Sequence, residues 1–292
     1  MLIPLTPTLT ENSTELLLLL RLQSGGDMGR KKKCAEEMEE EETRASDMSE
    51  YVYAEKTFSY IRGSDKGPKR WGSLHREWAA CKNGRMQSPV DILNSQVVGA
   101  VYDLKMSYTP TTAVLSNKGH VIEVGWLGDA GSIQINGTTY RLEQCHWHSP
   151  SEHYIDGKSY DLELHMVHKR HDSMKPEIAV VALLFQVGRP NDLLGKLHKN
   201  IESISGREGE QVVGTMDPRE IIRSSEEYYR YMGSLTTPPC SETVIWTIDS
   251  RVRTVSKEQV NILQEAVYDY ARQNARPLQP LNDRKIYHHT PR

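Results

Sequence analysis

The chain of 292 residues is 37% hydrophobic and 26% charged, with a formal net charge of -3 when its histidines are neutral. This length suits one large domain or two small ones, and the slightly acidic balance argues against a nucleic-acid partner held through its phosphates. No apolar run approaches the roughly 18 residues that a membrane-spanning helix needs, so we expect no membrane span.

The first 56 residues differ in composition from the rest of the chain. Within them, RKKKCAEEMEEEE (30–42) places a basic block before an acidic one, and such blocks repel themselves and bury little apolar surface. The leucine run at 16–20 lies between Glu15 and Arg21, so it falls short of the roughly 7–15 apolar residues of a signal peptide. We predict a disordered tail over 1–56; a signal peptide or a wrongly assigned chain start are the alternatives.

Residues 57–288 have the same residue pattern throughout. Short runs rich in Val, Ile, Thr and Tyr alternate with turn residues, and Asn136-Gly137 separates two such runs, which is a strong hairpin signal. The pattern predicts one mostly β domain of largely antiparallel strands with peripheral helices, followed by a short tail at 289–292.

Three segments carry helical signals. In the segment 256–271, Ser256 can cap a helix with Gln259 three residues on, and the apolar residues recur at helical spacing. The residues that share this face are Val260, Leu263, Val267 and Tyr270. A second helix is predicted over 191–203, and 217–222 is typical of a short helical turn.

EQCHWHSPSEH (143–153) contains three histidines. In a strand, His146 and His148 would project from one face, about 6.6 Å apart along the chain, with Trp147 on the other face. Two imidazoles so placed can reach one metal ion. A hydrogen-bonded pair of core histidines gives the same pattern, so a third ligand is needed to decide.

SYDLELHMVHK (159–169) supplies a third histidine at position 165. Period-two alternation puts Asp161, Glu163, His165 and Val167 on one face, with an aliphatic face behind them. The other face would hold Tyr160, Leu162, Leu164, Met166 and His168. A strand with this pattern has the core on one side and room for a site on the other.

An acceptor stands two residues before a ligand candidate in both runs: Gln144 before His146, and Glu163 before His165. Metal-bound histidines usually donate their other ring N–H to such a partner; ordinary polar residues on a solvated face are the alternative. Three imidazoles without a thiolate favour zinc with an open fourth position, and hence a catalytic zinc, provided that the two strands are neighbours.

Several separated motifs resemble those of the α-class carbonic anhydrases of plant type. They are WGSLHREWAACKNGRMQSPVDI (71–92), QCHWHSPSEH (144–153), LELHMVH (162–168) and GSLTTPPCSETVIW (233–246). The resemblance covers residues 57–287 and implies a large, twisted, mostly antiparallel central sheet. It implies that His146, His148 and His165 hold zinc, with Gln144 and Glu163 as their partners.

The same resemblance implies a catalytic role for Thr236 and Glu152. Thr236 would donate its single hydroxyl proton to Glu152, which leaves lone pairs to accept a hydrogen bond from the attacking hydroxide. The resemblance also implies an apolar pocket for carbon dioxide, for which ordinary core packing is the alternative; its residues are Val167, Val180, Leu235, Val244 and Trp246. The polar half of the cleft would contain Tyr60, Lys118, Glu123 and Thr237.

His120 occupies the family's proton-shuttle position by resemblance. Release of a proton from an acid of pKa about 7 to bulk water is limited to on the order of 10³ s⁻¹, whereas carbonic anhydrase itself reaches about 10⁶ s⁻¹. An imidazole of pKa near 6.5 can take the proton and pass it to buffer. A surface histidine without a role is the alternative.

The resemblance implies a disulfide between Cys81 and Cys240, as in secreted members. Cys145 would be a buried free thiol, and Asn136-Gly-Thr is a glycosylation sequon. The disulfide requires an oxidising compartment, so we expect the secretory pathway with an extracellular or plastid destination, the chloroplast stroma included, although the N-terminus lacks a convincing signal.

Two functions remain open at the level of the sequence. One is zinc-dependent reversible hydration of carbon dioxide; the other is a storage or carbohydrate-binding protein on the same fold, with weak hydratase or esterase activity. The intact set of site residues favours the hydratase. The expected partner is a small molecule, carbon dioxide or bicarbonate, and the chain is expected to be a monomer or a weak dimer.

Overall fold

The structure is a computed structural model that describes residues 58–99, 104–171 and 177–290. The tail predicted over 1–56 and the leucine run within it lie outside the described residues.

Fifteen strands are found in the described part of the chain. They are β1 (Asp91–Ile92), β2 (Val97–Gly99), β3 (Leu104–Tyr108), β4 (Thr111–Asn117), β5 (Ile122–Trp126), β6 (Gly131–Ile135), β7 (Thr138–His148), β8 (Tyr154–Ile155), β9 (Leu162–Arg170), β10 (Glu177–Val187), β11 (Gly209–Met216), β12 (Tyr228–Ser234), β13 (Glu242–Asp249), β14 (Arg253–Val255) and β15 (Ile286–His289).

Thirteen of these strands form one sheet. Its main path runs β11–β4–β5–β7–β9–β10–β13–β12–β15–β2, with β6 added to β7, β3 to β6, and β14 to β10; β1 and β8 pair separately. Most pairings are antiparallel, whereas β10 runs parallel to β13 and β14, and β15 parallel to β2. The predicted large, mostly antiparallel sheet is confirmed, and the predicted hairpin at Asn136-Gly137 joins β6 to β7.

Four α-helices and four 3₁₀ turns accompany the sheet in the described residues. The helices are α1 (Trp71–Leu74), α2 (Ala80–Asn83), α3 (Asp192–Ser203) and α4 (Lys257–Ala266), and the turns are Arg76–Trp78, Asn94–Gln96, Pro218–Glu220 and Asp269–Ala271. The predicted helix at 191–203 and the predicted turn at 217–222 correspond to α3 and Pro218–Glu220.

The predicted helix at 256–271 begins as expected but ends early. Ser256 caps α4 through a capping box with Gln259. The helix stops at Ala266 because tertiary contacts take over: its carbonyl accepts from the Asn117 side chain (2.7 Å) and from the Gly206 backbone (2.8 Å). The prediction of one continuous helix was therefore wrong: 267–268 are not helical, and Asp269–Ala271 form a separate 3₁₀ turn.

The two faces of the sheet are buried in different clusters. On β9, Leu162, Leu164 and Met166 pack in the larger cluster, which includes apolar residues of α3 and α4, whereas Val167 packs in the smaller one. This confirms the predicted alternation along the strand. Tyr160 is an exception: it precedes β9 and packs in the smaller cluster with Val167.

Candidate metal centre

The three candidate ligands come together on one face of two paired strands. His146 on β7 lies directly opposite His165 on β9 in the antiparallel register, and His148 follows two residues after His146. The ring centroids of His146, His148 and His165 are 4.6 to 5.2 Å apart. One nitrogen from each ring lies within 4.8 Å of the other two, so the neighbouring strands required by the sequence argument are present.

Hydrogen bonds fix which nitrogen of each ring carries the proton. His146 Nδ1 donates to Gln144 Oε1 (2.8 Å), and His165 Nε2 donates to Glu163 Oε1 (2.7 Å). His148 Nδ1 donates to the backbone carbonyl of Asn274 (2.8 Å). Each ring therefore directs its remaining nitrogen, with a lone pair, into the space between the three rings. This is the donor set that zinc binds.

Two buried atoms beside the ligands have no hydrogen-bond partner among the described residues: His148 Nε2 and Glu152 Oε2. They lie 3.7 Å apart, and both side chains are at most 1% exposed. Buried polar atoms are normally paired because an unpaired one is costly. A cation between the rings and a polar group beside Glu152 would satisfy both atoms, so the residues present fit a metal site.

Burial favours the neutral form of two of the candidate ligands, His146 and His148. It lowers the pKa of His146 well below the usual range, and the neighbouring rings of His148 and His165 lower it further. Burial also lowers the pKa of His148, although Glu152 opposes this effect. Neutral imidazoles have free lone pairs, so these two rings can bind a cation without first losing protons.

Glu163 organises a buried network behind the site. Its Oε1 accepts from His165 and from His153 Nδ1 (2.7 Å), and its Oε2 accepts from the backbone N–H groups of Glu152 and His153 (both 2.8 Å). Burial alone would raise the pKa of Glu163, but the charges and hydrogen bonds of His153 and His165 hold it well below the usual range. The carboxylate stays ionised. Because it already accepts four hydrogen bonds, its place is beside His165 as a hydrogen-bond acceptor.

His153 has a supporting position in this network that its spacing in the sequence does not predict. Its Nε2 hydrogen-bonds the hydroxyl of Tyr231 (2.7 Å), which in turn contacts Ser88 Oγ (2.7 Å). The network thus connects the candidate ligand His165 through Glu163 and His153 to β12. The cluster of three histidines in the quoted stretch was the available signal, but spacing did not separate a ligand from a supporting residue.

Asn274 and Arg276 also act at the site and were missed. The Asn274 carbonyl accepts from His148, and its side chain binds the backbone of Ser149, His120 and Trp147. The Arg276 backbone N–H donates to Glu152 Oε1 (2.8 Å). Both contributions to the site residues His148 and Glu152 come from backbone atoms more than 120 residues away, for which a side-chain motif gives no signal.

Glu152 and Thr236 are both buried next to the sheet, at 0% and 6% exposure. The predicted hydrogen bond from Thr236 to Glu152 is not seen at Glu152 Oε2, which has no partner among the described residues. That oxygen is therefore an available acceptor.

The predicted apolar pocket residues are grouped in the smaller core cluster. Val167, Val180, Val244 and Trp246 are each at most 8% exposed, and Leu235 packs against them. Val167 is paired with Val180 and with Gln144, so this cluster directly adjoins the metal centre. Thr237 lies in the turn after β12, where its carbonyl accepts from the Cys240 backbone (2.8 Å).

His120, the predicted proton shuttle, is buried just before the start of β5. The residue is 6% exposed, its ring packs edge-on against Phe58 at 5.3 Å, and its Nδ1 lies 3.3 Å from the Lys118 carbonyl. Burial lowers its pKa to about 4, and the charges of His148 and Lys118 contribute to the lowering. An acceptor of pKa about 4 is protonated by a group of pKa near 7 in only about one part in 10³; burial therefore makes His120 a weak proton acceptor, and its role as the shuttle stays a prediction.

The other residues predicted for the polar half of the cleft are placed as follows. Glu123 lies directly opposite His146 in the register of β5 and β7, and burial raises the pKa of its carboxyl. Lys118 pairs with Glu210 (3.1 Å). Tyr60 is buried beside Phe58 in an edge-on contact of 5.7 Å.

The predicted disulfide between Cys81 and Cys240 is present and spans 159 positions of sequence. Cys145 is a buried free cysteine, as predicted, and burial raises the pKa of its thiol far above the usual range. Asn136 is exposed in the turn between β6 and β7.

Comparison with known proteins decides the family. The family described as eukaryotic-type carbonic anhydrase matches residues 66–290. The chain belongs to this family. It is 45% identical to alpha carbonic anhydrase 7 of Arabidopsis thaliana over 243 residues, which cover 82% of this chain and 87% of that protein.

Solved structures agree with this family membership. A dioscorin complexed with ascorbate superimposes with a TM-score of 0.77 at 40% identity, covering 80% of this chain and 98% of that chain. The α-carbonic anhydrase of Thermovibrio ammonificans with the inhibitor sulfanilamide gives a TM-score of 0.69 at 34% identity, covering 79% and 98%. Within the residues described here, no helix of this carbonic anhydrase family member is long and apolar enough to cross a membrane.

Proposed function

We propose that this protein catalyses the zinc-dependent, reversible hydration of carbon dioxide to bicarbonate and a proton. The observation that carries the proposal is the convergence of three lone pairs, from His146, His148 and His165, beside Glu152 Oε2, a buried oxygen without a hydrogen-bond partner among the described residues. Three nitrogen ligands without sulfur are typical of catalytic zinc, which keeps one coordination position for water or substrate.

When bound, zinc supplies the Lewis acidity that lowers the pKa of a water to about 7, the value established for carbonic anhydrases in general. Gln144, Glu163 and Asn274 hold the three rings in the orientation and tautomer needed to bind the metal. Because these partners are fixed by strand pairing and burial, the ligands need little rearrangement on binding.

The chain positions the attacking oxygen through Thr236 and Glu152. Glu152 Oε1 is already occupied by the Arg276 backbone N–H, and Oε2 is available to accept the Thr236 proton. With its proton donated there, the Thr236 hydroxyl can act towards the nucleophile as an acceptor alone. This arrangement would favour an attacking hydroxide that donates its hydrogen to Thr236 and directs a lone pair at the substrate.

The apolar cluster of Val167, Val180, Val244 and Trp246, with Leu235, would receive carbon dioxide. Carbon dioxide has no hydrogen to donate, so it does not need an acceptor in the wall of its pocket. An apolar wall beside a polar centre can therefore bind it without leaving a buried polar group unpaired.

A second candidate is a storage or small-molecule-binding protein on the same fold. The dioscorin structure complexed with ascorbate favours it, because that protein is 40% identical to this chain over the aligned part, which covers 80% of this chain. Loss of a candidate zinc ligand, or of Glu152 or Thr236, would have supported this function. The chain retains all three histidines, which lie together, and it retains Glu152 and Thr236, which are buried.

We also propose that the protein matures in an oxidising compartment, in the secretory pathway with an extracellular or plastid destination. The Cys81–Cys240 disulfide supports this proposal, since disulfides persist in such compartments. The sequon at Asn136 lies in an exposed turn, which is where glycosylation requires it. The catalytic domain would span residues 57–288.

Stopped-flow measurement of carbon dioxide hydration tests the proposal. The zinc-loaded protein should show a kcat/KM far above that of the same protein after removal of zinc by a chelator, and added zinc should restore the rate. Stoichiometric zinc without measurable hydration would favour the binding function. The variant His165→Ala serves as the control that should lose zinc, while His198→Ala, on the exposed face of α3, should retain it.

A further inference from the structure

Arg276 contacts different parts of the molecule with its backbone and with its side chain. Its backbone N–H donates to Glu152 Oε1 at 2.8 Å. The residue is 3% exposed, and burial lowers the pKa of its guanidinium to about 10, although the charge of Glu152 opposes this effect. The side chain is therefore a buried cation at neutral pH. Such a group is costly unless its hydrogen bonds are satisfied.

The guanidinium of Arg276 donates to three oxygen atoms. Nη1 donates to Gln87 Oε1 (2.9 Å) and to the Ser88 carbonyl (2.8 Å), and Nη2 donates to the Cys81 carbonyl (3.0 Å). The ring centre of Trp71 lies 5.7 Å from the guanidinium carbon. Lysine has one nitrogen in place of this planar fork, so it cannot reproduce the same set of contacts. The side chain thus ties position 276 to the segment 81–88.

Gln87 extends this connection to the loop that carries Thr236. Its Oε1 accepts from Arg276, and its Nε2 donates to the Cys240 carbonyl at 3.0 Å. Two backbone hydrogen bonds of 2.8 and 2.9 Å lie within the loop 235–241, so the Cys240 backbone is held together with the rest of the loop. We call the side chains of Arg276 and Gln87 the Arg276–Gln87 pair.

The Arg276–Gln87 pair connects the two residues proposed to position the attacking oxygen. On one side, the Arg276 backbone N–H holds Glu152; on the other side, Gln87 holds the loop of Thr236. Pro277 follows Arg276, and a residue before proline is largely restricted to extended backbone. The backbone at position 276 therefore has little freedom to adjust when its side chain loses its partners, and a displacement there is passed on to Glu152.

We propose that Arg276 and Gln87 are positioning residues that set the distance between Glu152 and Thr236. The guanidinium and the amide act through the backbone atoms that they hold, and neither group touches the substrate. The inference rests on the proposed function, in which Glu152 and Thr236 orient the attacking oxygen. It extends that function by assigning the geometry of these two residues to a pair of side chains outside the metal centre.

Amide hydrogen exchange at position 276, followed by NMR in the full chain, tests the positioning without an activity assay. The variants Arg276→Lys and Gln87→Leu remove contacts of the pair but keep the Glu152 acceptor. In both, the N–H at position 276 should exchange about tenfold faster or more, because local opening becomes easier. The matched control is Arg253→Lys on β14, whose arginine side chain is 15% exposed and pairs with Asp249; this variant should leave the exchange unchanged.

Carbon dioxide hydration by the zinc-loaded variants gives the second readout. Misplacement of a reacting group by a distant change can lower the rate by up to about 10²-fold, and we expect kcat/KM to fall about tenfold in Arg276→Lys and in Gln87→Leu at full zinc content. In a Thr236→Val background, the bond to Glu152 is already lost, so the same substitutions should lower kcat/KM by less than about twofold. A general loss of stability would instead lower it equally in both backgrounds.

Three results would each overturn the inference: an unchanged kcat/KM in both variants, equal losses in the two backgrounds, or an unchanged amide exchange at position 276. Absence of hydration by the unaltered zinc-loaded protein would instead contradict the proposed function, and amide exchange would still decide whether the pair holds position 276 beside Glu152. Melting curves show which variants are folded, and the two substitutions are independent, so either one alone carries the test.

Discussion

Replacing Glu152 by glutamine exchanges one oxygen for an amide next to the metal centre. Oε1 must remain the acceptor of the Arg276 N–H, at 2.8 Å, because an amide N–H in its place would face another donor. The new NH₂ group is therefore forced into the position of Oε2, beside His148 at 3.7 Å. It would donate to Thr236, whose own proton would then point at the attacking oxygen.

The expected cost follows from the loss of one positioned hydrogen bond. Removing a preorganised interaction that acts in the transition state typically lowers kcat by about 10²–10³, or roughly 2.7–4 kcal/mol. We expect this range for Glu152→Gln in the hydration of carbon dioxide. Because the Arg276 contact survives and no charge is left unpaired, the protein should keep its zinc and its folded state.

Stopped-flow assays of three further variants separate this explanation from a general disturbance. Thr236→Ser keeps the hydroxyl, so its kcat should stay within about threefold of that of the unaltered protein. The kcat of Thr236→Val should fall as far as that of Glu152→Gln. The double variant Glu152→Gln/Thr236→Val should be little worse than either single variant, since residues acting as a unit are not additive. A Glu152→Gln protein with full zinc and unchanged kcat/KM would refute the reasoning.

Three other expectations concern stability, proton transfer and pH. Reduction of Cys81–Cys240 removes a constraint worth about 5 kcal/mol in chain-entropy models, so melting should occur at a lower temperature while zinc stays bound; an unchanged melting temperature would contradict this. His120→Ala should change kcat in weak buffer by less than about threefold, because burial lowers the pKa of His120 to about 4; a 10²-fold loss restored by imidazole would show that it is a shuttle after all. Burial likewise lowers the pKa of His168 to about 4. Between pH 6.5 and 4 the unfolded chain binds more protons than the folded chain at His120 and His168. The free energy of unfolding of the metal-free protein should therefore decrease on acidification, by up to about 1.4 kcal/mol per pH unit for each histidine. Urea titrations that show no decrease would count against this expectation.

The parts of the site that lie in strands were predictable because strand geometry has a fixed period of two. That period placed His146 and His148 on one face, and it placed Gln144 and Glu163 beside their ligands. The pairing of the two ligand strands was a condition of the sequence argument, and it follows from the fold, not from spacing. The resemblance to a known family supplied the Cys81–Cys240 pairing, which residue spacing alone did not indicate.

What sequence reasoning missed depends on contacts between distant parts of the chain. The end of α4 at Ala266 is set by Asn117 and Gly206, so helical periodicity continued the prediction too far. The burial of His120 depends on Phe58, which lies 62 positions earlier. Asn274 contributes a backbone carbonyl that accepts from His148, and every residue type has that group, so this contact gives no signal in the sequence.

The central claim is that His146, His148 and His165 hold one zinc ion. Anomalous X-ray diffraction measured on both sides of the zinc absorption edge tests it directly. The account predicts a single strong zinc peak about 2.0–2.1 Å from His146 Nε2, His148 Nε2 and His165 Nδ1. A zinc-supplied crystal with no peak among these three nitrogens, or with its peak at another group of residues, would contradict the account.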